Sequence, residues 1–93
     1  LYNVPGRTGV NMSAETTLRL AELKNVIGVK DASASLDQAS EILRAAPADF
    51  ALYSGEDSLT YALYALGAQG VISVTANVAP REVADQYIAV QKG

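Results

Sequence analysis

Three short apolar runs, each closed by turn residues and followed by an amphipathic stretch, constrain this chain more than any other feature. They fall at residues 26–30, 50–54 and 70–74. Each is continuous rather than alternating, which is the pattern of a buried parallel strand. Leu1 to Val4 reads as the tail of another. Helices fill the spaces between them. Ser13 can cap a stretch whose Leu18, Ala21 and Leu23 share an apolar face. Ser35-Leu36-Asp37-Gln38 has the form of a capping box. Behind it Leu36, Ala39, Ile42, Leu43 and Ala46 recur at helical spacing until Pro47 stops the helix. Asp57 stands as the cap of a third helix, with Leu59, Ala62, Leu63 and Leu66 inward and Gly67 as its exit. Pro80 suits the first turn of a fourth, striped by Val83, Tyr87 and Ile88.

Strand and helix in strict alternation imply a parallel sheet with right-handed crossovers. Four such units make half of a (β/α)8 barrel, which needs roughly 250 residues when whole. A small open doubly wound sheet is the alternative, but no Gly-x-Gly-x-x-Gly follows any strand. With 93 residues there is room for one domain. The chain opens on Leu1-Tyr2-Asn3-Val4-Pro5 as though inside a strand, and so reads as a fragment. A half barrel exposes two unpaired strand edges, so it is not expected to stand alone as a monomer.

Composition removes several functions. Without Cys or His the chain can build no thiol nucleophile, Ser-His-Asp triad, zinc finger or disulfide framework, and no metal site is expected. A net charge of −3 argues against a nucleic-acid partner, since phosphate neutralisation needs a basic surface. No apolar run is long enough for a membrane span, and no leader pattern is seen.

Lys30 ends an otherwise apolar strand, where barrels place reactive groups. Loss of solvation in a barrel mouth favours the neutral amine, which can attack a carbonyl and form a Schiff base. Tyr2 and Arg7 leave another strand end, in Tyr2-Asn3-Val4-Pro5-Gly6-Arg7-Thr8-Gly9, where the chain turns sharply at Pro5-Gly6. A loop guanidinium offers a planar fork for a carboxylate, and a phenol can relay protons. Each residue alone has a plainer reading, as a strand-end lysine, a packed tyrosine and a solvated arginine. In Ser54-Gly55-Glu56-Asp57, Gly55 lets backbone approach a ligand, whereas Glu56 and Asp57 read better as helix capping with an acidic first turn. The run Gly70-Val71-Ile72-Ser73-Val74 is core strand, with its end from Ile72 onward near the same site. Tyr53, Tyr61, Tyr64 and Tyr87 read as packing residues.

Taken together, Tyr2 to Gly9, Gly28-Val29-Lys30-Asp31-Ala32-Ser33, Ser54-Gly55-Glu56-Asp57 and Gly70 to Val74 resemble the dihydrodipicolinate synthase family, in its usual order and spacing. The resemblance covers essentially the whole chain. It implies the C-terminal half of a (β/α)8 TIM barrel, from the end of strand five through helix eight. Residues 1–93 would then be a partial domain, without the first half of the barrel and the C-terminal helices. It also implies a lyase that condenses pyruvate with aspartate semialdehyde in the diaminopimelate route of lysine synthesis. Lys30 matches the lysine that forms the pyruvate imine, so no separate cofactor is needed. Tyr2 matches the tyrosine of the proton relay, and Arg7 the arginine that binds the semialdehyde carboxylate. Gly55 and Ile72 match residues lining the pyruvate pocket, Ile72 mainly through its backbone. A cytoplasmic homotetramer is implied for the parent protein. The threonine pair and second tyrosine of the family's relay belong to the half not present, so the isolated chain is expected to be inactive.

Two other readings stay open. N-acetylneuraminate lyase and keto-deoxy sugar acid aldolases share the Schiff-base half-reaction, and Arg7 is the residue that separates them from the semialdehyde enzyme. A half barrel kept as a non-catalytic assembly module is the alternative of a different class.

Overall fold

A computed structural model describes all residues, 1–93. In chain order the elements are β1 (Tyr2–Asn3), α1 (Pro5–Thr8), α2 (Ala14–Ala21), β2 (Gly28–Asp31), α3 (Leu36–Ala45), β3 (Ala51–Ser54), α4 (Thr60–Leu66), β4 (Gly70–Val71) and α5 (Pro80–Lys92). Short 3₁₀ turns at Asp57–Leu59 and Thr75–Asn77 precede α4 and α5. The four strands form one parallel sheet in the order β1-β2-β3-β4. The α/β fold class expected from the alternation is therefore what the chain adopts.

The local signals account for most boundaries. Ser13 Oγ accepts from Thr16 N at 3.2 Å and starts α2. Ser35 Oγ accepts from Gln38 N at 3.1 Å and starts α3. The capping box is only half made, because Gln38 Nε2 turns away to donate to the Met12 carbonyl at 3.0 Å. Gly67 ends α4 at φ 110°, a left-handed conformation that a side chain would strain. Pro80 occupies the first turn of α5.

Other expectations are corrected. Pro5 and Gly6 do not form a simple turn: Pro5 opens the single helical turn α1, with Arg7 in it and Gly9 closing it at φ 72°. The last strand is regular only over Gly70–Val71, because Ser73 Oγ accepts from Ala76 N at 2.9 Å and curls the chain into its 3₁₀ turn. Glu56, not Asp57, caps the turn before α4, its Oε1 accepting from Ser58 N at 3.4 Å.

Strand registry sorts the side chains into two faces. Val29 and Leu52, at 1% and 0% exposure, turn toward the helices and join Ile42, Ala39, Phe50 and Leu63 in the core. Burying each such large aliphatic side chain contributes on the order of 1.5–3 kcal/mol. The opposite face carries no helix within this chain, so its strands are covered on one side only. Helix α5 has no buried residue and meets the core through the half-buried Val90 and through Tyr87, whose ring packs against Tyr64. Leu23 and Leu66 likewise stay exposed. No helix is long and apolar enough to cross a membrane.

Candidate active site

Parallel pairing aligns Tyr2 with Lys30, Lys30 with Tyr53 and Tyr53 with Gly70. Because side chains alternate along a strand, these residues form one row on the open face of the sheet. The Lys30 ammonium lies 4.0 Å from the centroid of the Tyr2 ring, a cation–π contact. Tyr53 is 38% exposed in that row, so it is a face residue rather than the packing residue its spacing suggested. Gly70 makes room for it, since a Cβ there would lie 2.8 Å from Tyr53 Cδ1.

At the C-terminal end of the strands a cavity of about 620 Å3 opens between the loops. Tyr2, Lys30, Arg7, Gly55, Glu56 and Asp57 all line it. Four of the five residues singled out from the sequence thus converge on one space. The fifth, Ile72, does not line it; the same loop contributes Val74 instead. Ile72 keeps a backbone role, donating from N to the Ser54 carbonyl at 2.9 Å, and its side chain is exposed.

Gly55 matters for a reason the sequence did not display. A Cβ at this position would stand 3.0 Å from Lys30 Cγ, Lys30 Cε and Ala32 Cβ. The missing side chain is therefore the space occupied by the stem of Lys30. Gly55 N donates to the Asp31 carbonyl at 2.7 Å and fixes this close approach.

Asp57 reaches across the rim instead of capping its own helix. Its Oδ2 accepts from Val74 N and Thr75 N, both at 3.0 Å, and from Thr75 Oγ1 at 3.1 Å. Hydrogen bonding, led by the Ser73 hydroxyl and joined by Thr75 and Val74, holds its carboxyl below the usual 3.8 against the opposing effect of burial. The loop after β3 and the loop after β4 are thereby tied together beside the cavity. Sequence spacing could not show this, because the partners are 17 and 18 residues away.

Tyr64 and Tyr87 meet edge to face at 5.7 Å between centroids, and neither lines this cavity. Tyr64 is buried as expected, while Tyr61 is 66% exposed and packs little.

One lysine, Lys30, thus stands at the C-terminal mouth of a parallel α/β sheet, where barrel folds carry their sites, and the Arg7 guanidinium of α1 lines the same cavity. The profile of the Dihydrodipicolinate synthetase family matches residues 1–93, and the chain belongs to that family. It is 66% identical over 79 residues to the 4-hydroxy-tetrahydrodipicolinate synthase of Moorella thermoacetica, a match spanning 85% of this chain and 27% of that protein. The enzyme of the same name from Aromatoleum aromaticum is 54% identical over 93 residues, all of this chain and 32% of the relative. Among solved structures, dihydrodipicolinate synthase from Aquifex aeolicus superposes with a TM-score of 0.94 at 44% identity, covering 99% of this chain and 32% of that one. The synthase from Acinetobacter baumannii, solved in complex with pyruvate, gives a TM-score of 0.93 at 43% identity, over 99% of this chain and 32% of that one. The chain thus spans about a third of the length of the relatives it matches.

Proposed function

We propose that this chain is the C-terminal half of the barrel of a 4-hydroxy-tetrahydrodipicolinate synthase, residues 1–93 forming part of one domain. The observation that carries the reading is Lys30 Nζ, 4.0 Å from the Tyr2 ring centroid, in a cavity that Arg7 and Gly55 also line. Membership of the family and the names of the relatives support it.

In this reading the Lys30 amine attacks the keto carbon of pyruvate and loses water to give an imine. Loss of a methyl proton then gives an enamine, the electron-rich carbon of the condensation. Tyr2 relays protons in these steps. The enamine carbon bonds to the aldehyde carbon of aspartate semialdehyde, whose carboxylate is held by the Arg7 fork, and cyclisation follows. Gly55 leaves space for the Lys30 stem, and Ile72 contributes backbone to the pyruvate pocket. No cofactor beyond the covalent imine is called for. The parent protein is a cytoplasmic homotetramer in the same reading.

Arg7 separates this function from pyruvate-dependent lyases acting on sugar acids. Arg7→Lys, made in a full-length synthase carrying this segment, keeps the charge but loses the two-pronged geometry. It is expected to raise the half-saturating concentration of aspartate semialdehyde by about tenfold, in line with one charged hydrogen bond. Imine formation with pyruvate should stay within about threefold, a change of less than 1 kcal/mol. Equal loss of both steps contradicts the assignment.

A further inference from the structure

Directly behind the Tyr2–Lys30 contact, on the helix-facing side of the sheet, lies a polar cluster where an apolar core is the rule. Asn3 and Asp31 follow Tyr2 and Lys30 in sequence and are each 3% exposed. They are also register partners across β1 and β2. The two hydrogens of Asn3 Nδ2 are shared among three acceptors, Asn11 Oδ1 at 2.9 Å, the Met12 carbonyl at 3.2 Å and Asp31 Oδ1 at 3.3 Å. Its Oδ1 accepts from Met12 N at 3.0 Å. Asp31 Oδ2 accepts from Ser33 Oγ at 2.8 Å, and Ser33 Oγ in turn accepts from Ser35 N at 3.2 Å. Every polar atom of the Asn3 side chain is used.

We propose that Asn3 and Asp31 are positioning residues that set Tyr2 against Lys30 by locking β1 to β2 from the opposite face of the sheet. This inference rests on the reading of Lys30 as the imine-forming lysine.

Three features point to positioning rather than packing. Strand β1 is only two residues long, so few ladder bonds hold its alignment. Among the bonds that do are Lys30 N donating to the Leu1 carbonyl at 2.9 Å, Ala32 N donating to the Asn3 carbonyl at 2.8 Å and Leu1 N donating to the Gly28 carbonyl at 2.9 Å. Alternation along a strand means that whatever fixes Asn3 and Asp31 also fixes the residues before them on the other face. Buried hydrogen bonds are directional where an apolar pair is not, and a fully satisfied network rigidifies its surroundings. The same cluster gathers the segment after α1, through Asn11 and Met12, so the stretch that carries Arg7 is anchored to the same point.

The test follows the accumulation of borohydride-trapped pyruvate on Lys30 in a full-length synthase carrying this segment. Displacing a reacting group by about 1 Å can cost up to about 100-fold in rate. Asn3→Ala is therefore expected to slow trapping by about 10- to 100-fold in protein that circular dichroism shows to be folded. The pyruvate concentration for half-maximal rate should move by less than about threefold. Asp31→Asn keeps an oxygen for Asn3 Nδ2 and should recover the rate to within about threefold of the parent. A purely structural pair would lower the melting temperature and leave the trapping rate of the folded fraction unchanged, and that result overturns the proposal. Should Asn3→Ala fail to fold, Asn3→Ser and Asp31→Ala provide the same comparison, read in the same way. A parent protein that forms no adduct removes both this inference and the role of Lys30. A normal parent adduct with an unchanged Asn3→Ala rate removes this inference alone.

Discussion

Lys30 owes its position to neighbours on both sides of its side chain. The Tyr2 ring lies 4.0 Å from its ammonium, and the missing Cβ of Gly55 leaves room for its stem. A methyl group at Gly55 would stand 3.0 Å from two Lys30 carbons and from Ala32 Cβ, closer than ordinary contact allows. Gly55→Ala is therefore expected to push Lys30 off the Tyr2 face. In a full-length synthase the rate of imine trapping should fall by about tenfold or more, with little change in the denaturation midpoint. Trapping at the parent rate would show that the lysine stem has slack. The resemblance in the sequence pointed to Gly55 as a pocket residue, but its physical work was hidden. Which side chain fills the space of an absent Cβ depends on the pairing of β2 with β3, and a single sequence does not print that register.

Elements tell the same story at longer range. Caps, stops and periodicity were legible because they are local: Ser13, Ser35, Gly67 and Pro80 act within a turn of the residues they affect. Asp57 and Asn3 were not, because their partners lie on other elements. Asp57 joins the loop after β3 to the loop after β4 through three hydrogen bonds. Asp57→Ala should destabilise the fold by about 1–2 kcal/mol in a denaturant titration, given the modest net value of such bonds. Its carboxyl titrates below 3.8 when folded, so its contribution is present above that pH and is lost as pH falls through the lowered value. The difference between parent and variant should accordingly narrow below about pH 3.8; a constant difference down to lower pH contradicts the ionic role. Between α4 and α5 the Tyr64 hydroxyl is buried without a hydrogen-bond partner. Tyr64→Phe is expected to stabilise the protein by about 1 kcal/mol, because an unsatisfied buried hydroxyl is costly. Burial, helped by Tyr87, raises the Tyr64 hydroxyl above its ordinary 10.0. The parent should therefore lose stability as pH climbs past about 10 toward that raised value, a loss the variant lacks. A destabilised variant would mean that the hydroxyl has a partner in solution.

For the molecule as a whole, the open face of the sheet is the decisive feature. Tyr2 and Tyr53 are 50% and 38% exposed there, and strands β1 and β4 end the sheet without partners on their outer sides. Continuous apolar strands had signalled cover on both faces, yet this chain supplies helices to one face alone. The mismatch is resolved if the uncovered face is the interior of a larger barrel, in keeping with relatives about three times as long. Water then has free access to the Lys30 row in the isolated chain, and a half-formed site should support little or no turnover. The most direct measurement is borohydride reduction in the presence of pyruvate, followed by peptide mass mapping. It should be run on the 93-residue chain and on a full-length synthase carrying it, each beside Lys30→Ala. The expected result is a single pyruvate adduct mapped to Lys30 in the full-length protein, absent from Lys30→Ala and weak or missing in the short chain. A folded full-length protein with no adduct, or with its adduct on another lysine, would contradict the assignment of Lys30.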